Sequence, residues 1–168
     1  NTESGIYLFN GGNAQIGCEN NSITNNTCNG LDTNLYGIRL RSNDNYNNSL
    51  IRNICRNNSY SGIYTSSHYT DIINNTCEGN RYGIRLFSTY NNNVTDNICN
   101  ENSEGIRIEQ EYGDNNNLTN NTCTLNTHGI RIYGQSGGLC DNNTITSNNC
   151  SSNTFGIHLN AYAEENMI

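Results

Sequence analysis

Gly105-Ile106-Arg107-Ile108 is the stretch whose reading decides the fold, because six other segments repeat it. The copies are Gly5-Ile6-Tyr7-Leu8, Gly37-Ile38-Arg39-Leu40, Gly62-Ile63-Tyr64-Thr65, Gly83-Ile84-Arg85-Leu86, Gly129-Ile130-Arg131-Ile132 and Gly156-Ile157-His158-Leu159. Successive copies begin 21 to 32 residues apart, a period that belongs to stacked supersecondary units, none of which buries its apolar face alone. Period-two alternation turns the Ile and the last aliphatic inward and the residue between them outward. Each copy therefore reads as one short strand.

Working outward, a second pattern precedes each new copy: an aliphatic, an Asn three residues later and a Cys two after that. It occurs as Ile23/Asn26/Cys28, Leu50/Asn53/Cys55, Ile72/Asn75/Cys77, Val94/Asn97/Cys99, Leu118/Asn121/Cys123 and Ile145/Asn148/Cys150. Three residues beyond the Cys stands a further Asn (Asn58, Asn80, Asn102, Asn126, Asn153), except after Cys28, where Leu31 occupies the place and Asn34 suggests a three-residue insertion. One turn thus holds three short strands and two polar corners. Strands joined by such short corners, with no hairpin, stack in parallel with the next turn. The corner Asn suits a left-handed conformation, the Gly before each Ile relaxes the other corner, and stacked amides can hydrogen-bond from rung to rung. Residues 1–168 read as a single all-β solenoid domain of about seven rungs.

This pattern resembles the right-handed parallel β-helix repeat family, whose members include pectin-degrading enzymes, periplasmic accessory proteins for copper enzymes and many archaeal surface proteins. The resemblance covers essentially the whole chain. It implies the fold and is nearly silent on activity.

Composition agrees with a thin core. Asn makes up roughly a fifth of the 168 residues, and Pro, Trp and Lys are absent; a solenoid needs only a narrow apolar strip per turn. The formal charge of −7, with eight basic residues that are all Arg, argues against a nucleic-acid partner, which needs a broad basic face. No run approaches a membrane span. Eight cysteines without a Cys-x-x-Cys spacing fit an exported protein better than a zinc module.

Cys28, Cys55, Cys77, Cys99, Cys123 and Cys150 should form one inward file about 4.8 Å apart. Two readings stay open: a column of small buried hydrophobes, or disulfides between adjacent rungs such as Cys28–Cys55, Cys77–Cys99 and Cys123–Cys150, for which parallel side-chain vectors are an imperfect geometry. Two long loops carry Gly11-Gly12 and Gly137-Gly138 and end in Cys18 and Cys140. These two thiols lie about five rungs, roughly 24 Å, apart and are candidates for a bond between subunits.

The outward row offers Arg39, Tyr64, Arg85, Arg107 and Arg131, with Phe87 and Tyr133 beside it. Such a face can hold an acidic glycan or a neighbouring subunit, or it can be a solvated face in which Glu104 and Glu109 relieve the arginines. No catalytic, cofactor or metal site emerges. The acids near the fifth rung (Glu101, Glu104, Glu109, Glu111, Asp114) spread over corner, strand and loop, and the paired Asp, Gly-His-Gly and Arg-x-Lys elements of polygalacturonases are missing. Sequons at Asn47 and Asn93 read as loop positions open to glycosylation.

Neither end of the chain carries a divergent cap, which points to a segment of a longer β-helix or to open ends that stack on further copies. The expected function is therefore an extracellular or cell-surface structural protein whose main partner is itself, assembling into a filament, sheath or surface layer. In composition and repeat style the chain also resembles cysteine-containing archaeal sheath and surface-layer proteins. The alternatives are a β-helix that binds or processes an acidic polysaccharide and a periplasmic accessory module.

Overall fold

The structure, a computed structural model, describes residues 2–10, 17–30, 34–41, 45–135 and 138–168. Leu31 of the inferred insertion and Gly11, Gly12 and Gly137 of the long loops lie outside the described residues. In chain order the strands are β1 (Ser4–Phe9), β2 (Ser22–Thr24), β3 (Tyr36–Arg41), β4 (Ser49–Ile51), β5 (Ile54–Arg56), β6 (Ser61–Thr65), β7 (Asp71–Ile73), β8 (Thr76–Glu78), β9 (Tyr82–Phe87), β10 (Asn93–Thr95), β11 (Glu104–Glu109), β12 (Asn117–Thr119), β13 (His128–Tyr133), β14 (Thr144–Thr146) and β15 (Phe155–Leu159).

The seven rung strands stack in parallel as β1-β3-β6-β9-β11-β13-β15, in the register the repeat dictates, with Ile84 opposite Ile106 and Arg85 opposite Arg107. A second face stacks β2-β4-β7-β10-β12-β14. The third consists of β5 beside β8, continued by single bridges from Thr27 to Ile54 and from Thr76 through Ile98 and Thr122 to Asn149. The chain is an all-β parallel solenoid, with no helix among the described residues. The seven rung strands span about five closed turns; β1 and β15 each have one neighbouring strand and are only half covered.

Four inward columns make the core: the first aliphatic of each rung (Ile38, Ile63, Ile84, Ile106, Ile130), the second (Leu40, Leu86, Ile108, Ile132), the column of the second face (Leu50, Ile72, Val94, Leu118) and the cysteines, all but Cys28 and Cys150 fully enclosed. Thr65 replaces an aliphatic in the second column; its hydroxyl is satisfied by accepting the Ser67 N–H at 2.9 Å.

Asn files hold the corners. Asn97 accepts the N–H and the side-chain amide of Asn75 at 2.8 and 3.0 Å; its own amide donates to Asn121 Oδ1 at 3.0 Å and to the Ile72 carbonyl at 2.8 Å. The same pattern runs from Asn26 through Asn53, Asn75, Asn97 and Asn121 to Asn148. The second file joins Asn58, Asn80, Asn102, Asn126 and Asn153. Asn34 does not join it, and Asn58 Oδ1 is left without a partner, so the file stops at Asn58.

Three sequence expectations are corrected. A third corner has its own file, two residues before each second-face aliphatic: Asn92, Asn116, Asn143 and Asn166 are bonded in series, with Thr70 donating into it and Asn21 and Asn48 paired beyond. The left-handed residue of each corner is not the ladder Asn but the one before it, as at Asn74 (φ 56°), Asp96 (φ 57°) and Asn120 (φ 55°); the chain turns there so that the next side chain points inward to its bonds. Nor does the repeated Gly relax a corner. It lies inside the rung strand, where a Cβ on Gly105 would sit 2.5 Å from the Gly129 carbonyl oxygen and 3.0 Å from Cys123 Cβ. Gly and Cys therefore recur together because the Cys occupies the space a side chain would need.

Candidate binding face

The broadest surface that side chains of several rungs build together is the outside of the seven-stranded sheet. Arg39 lies 4.4 Å from the Tyr36 ring and also faces Tyr7 and Tyr64, while its guanidinium pairs with Glu3 at 2.9 Å. Arg85 is packed among Tyr60, Tyr64, Tyr82 and Phe87, at 5.1 to 5.5 Å from each ring, and is paired with Glu109. Arg107 reaches Glu109 at 2.5 Å and Glu104 at 2.9 Å; Arg131 takes the same Glu104 oxygen at 2.9 Å and donates to Asn160 Oδ1 at 3.0 Å. Tyr133 lies over both Arg107 and Arg131.

The sequence-predicted face residues are thus brought together, but they bind one another. The side chains of Arg85 and Arg107 are each 12% exposed and that of Glu109 is 4% exposed. An acidic glycan would have to displace a buried carboxylate from them. The carboxylates act as the sequence suggested. The forward reading missed Tyr36, Tyr60, Tyr82 and His128, and strict alternation carried back across the Gly would have turned Tyr36, Tyr82, Glu104 and His128 inward with the Ile; they share the outer face with the arginines because the Gly and the Ile after it both face the core. Burial and then the neighbouring Arg131 charge push the His128 imidazole below its usual range, and its ring stacks with Phe155 and His158. Of the remaining acids, Glu101 turns a corner (φ 57°), and Glu111 and Asp114 lie in the loop after β11. Asn93, read as a loop sequon, lies in β10; Asn47 is an exposed corner residue.

The predicted cysteine file exists, and all eight cysteines are free thiols. The file holds no disulfide and forms a buried thiol column, with Cys55 opposite Cys77 in register. Burial, then hydrogen bonds to Cys123 and Cys77, pushes the Cys99 thiol well up. Cys140 is also fully buried, donates to the Gln110 carbonyl at 3.1 Å and is pushed up to about 12 by burial. Cys18, by contrast, is partly exposed. In native buffer a thiol reagent should label Cys18 and, more slowly, Cys150, and all eight after denaturation; a total short by two would reveal a disulfide.

The profile of a family described as periplasmic copper-binding protein (NosD) matches residues 1–168. The chain belongs to the NosD family. No curated protein and no solved structure matches it.

The donor set of this NosD-family chain does not fit an open copper site. Soft thiols suit copper(I), but Cys55, Cys77, Cys99 and Cys123 are fully enclosed, and an ion there would place charge in an apolar core. His128 and His158 stack at 5.0 Å with planes 17° apart, so their in-plane lone pairs run side by side and do not converge. Among the described residues no group of three or more His, Cys, Asp and Glu side chains is placed to hold a metal.

Proposed function

We propose that this chain is an exported, non-enzymatic accessory module of the NosD type, a rigid rod that works through its side faces. The observation that carries the reading is the large face: Arg85, Arg107 and Arg131 are neutralised across rungs by Glu104 and Glu109, which stiffens the sheet and withholds these groups from a substrate. Family membership over residues 1–168, with a description that places the family in the periplasm, supports the exported location and the accessory role. It lends nothing to the filament or sheath expected from the uncapped ends.

The purified chain is expected to sediment as a discrete particle at neutral pH and to release no reducing ends from polygalacturonate. Ordered fibres would restore the assembly reading. Turnover that disappears in Glu104→Gln would make the protein an enzyme.

A further inference from the structure

The late loops build a cleft on another side of the rod. A cavity of about 470 Å³ is lined by Tyr112, Asp114, Gly138, Leu139, Asp141, Asn142 and Tyr162. Its lining includes the two tyrosines, 65% and 45% exposed, and the exposed Leu139. Tyr112 follows the fifth rung strand and Tyr162 the seventh, so their backbones are two rungs, about 10 Å, apart. Neither ring stacks on another aromatic ring of the described chain. Both residues are held in the left-handed region, at φ 65° and 61°, where a bulky side chain is uncommon and marks a constrained site.

The cleft is preformed, because three successive loops are tied together beneath it. The Cys140 N–H donates to the Tyr162 carbonyl at 2.9 Å, the Asp141 N–H to Asp114 Oδ1 at 2.9 Å, and the Glu164 N–H to Asp141 Oδ1 at 2.8 Å. The Cys140 side chain fills the floor so closely that a Cβ on Gly113 would lie 2.7 Å from its sulfur. The loop that ends in Cys140 thereby gains a role: it seats Leu139 and Asp141 in the cleft. Each of Asp114 and Asp141 spends one oxygen on this scaffold and keeps the other. Neither forms an ion pair among the described residues, whose salt-bridged arginines Arg39, Arg56, Arg85, Arg107 and Arg131 are paired elsewhere.

A concave site with apolar ring walls and unpaired carboxylates selects a ligand with a hydrocarbon face and a positive charge. We propose that this cleft binds a cationic amino sugar, one ring lying between Tyr112 and Tyr162 with its ammonium group on Asp114 and Asp141 and its hydroxyls on Asn142. A pyranose has the flat C–H face that tyrosine rings accept, and the cavity exceeds a single sugar ring, so a short oligomer fits. The proposal stands apart from the accessory role, which concerns the large face.

The test is calorimetric titration of the full chain with a glucosamine hexamer, its N-acetylated counterpart and tetralysine. The glucosamine hexamer should bind saturably and at least about tenfold more tightly than the other two. Tyr162→Ala and Asp141→Asn should each weaken it roughly tenfold, in line with the loss of a ring–cation or charge contact. Asp96→Asn, at a different corner, should leave it unchanged. Asp141→Asn keeps an oxygen for the Glu164 amide, and Tyr112→Ala provides a second, wholly surface variant should Tyr162→Ala disturb its loop. No saturable binding, equal binding of the acetylated hexamer, tighter binding of tetralysine, or an equal effect of Asp96→Asn would each overturn the proposal. None of these results depends on whether the protein turns over polygalacturonate.

Discussion

Asn97→Ala should lower the unfolding free energy by at least about 3 kcal/mol, measured by urea denaturation followed through the far-ultraviolet β signal. The side chain it removes accepts from the Asn75 N–H and the Asn75 amide and donates to Asn121 Oδ1 and the Ile72 carbonyl. Asn75, Asn97 and Asn121 are all fully buried, so water cannot replace these partners without opening the corner. The truncation strands the Asn75 N–H and takes one partner each from the Asn75 amide, Asn121 Oδ1 and the Ile72 carbonyl, and a buried polar group left unpaired costs about 1–3 kcal/mol. Because a solenoid's stability is a sum of repeat and nearest-neighbour terms, the damage should be local, with hydrogen exchange accelerated in β7, β10 and β12 before β1 or β15. Asn149→Ala is the contrast: Asn149 is exposed and its side chain bonds only to Ser151 in its own corner, so the variant should lose no more than a few tenths of a kcal/mol. If both variants unfold at the same urea concentration, the ladders are ornament and the aliphatic columns alone hold the rod.

Why the rod was legible and its working surfaces were not follows from how each is encoded. A core column needs one residue type at one phase of the repeat, so Ile84 or Cys99 announces itself seven or six times over. The two Asn files found in the sequence were visible for the same reason. The third escaped because Thr70 interrupts it, although its offset from the aliphatics is constant. The role of the recurring Gly was misread because its cause is not in its own backbone angle; it lies in the Cys123 Cβ and Gly129 carbonyl of the following rung, a contact invisible until the turns are stacked. The large face is harder again. Whether Arg85 is free or spent depends on Glu109, 24 residues away, and on rings from two rungs. The cleft at Tyr112 and Tyr162 had only an irregular loop and an extra Cys to mark it, and irregularity carries no periodic signal.

Glu109→Ala is the sharper test of the large face, and its expected results point in two directions at once. Stability should fall by about 3 kcal/mol, because removing one partner of a buried pair strands the other charge. Glu109 is 3% exposed and serves both Arg85 and Arg107. Arg107 retains Glu104, so the larger share of the loss belongs to Arg85, whose remaining polar partner is the Tyr60 hydroxyl at 2.9 Å. Replacing the pair together, as Arg85→Met with Glu109→Leu, should recover most of the loss, since apolar groups of similar volume pack without stranding a charge. Binding should move the other way. The unaltered chain is expected to hold polygalacturonate weakly, because its guanidinium groups already have carboxylates; Glu109→Ala frees one and should raise affinity for the acidic glycan severalfold, an increase that salt abolishes. Tight polygalacturonate binding by the unaltered chain that Glu109→Ala leaves unchanged or weakens would mean that the arginines were never neutralised, and the face would then be the glycan site that its row of Arg first suggested.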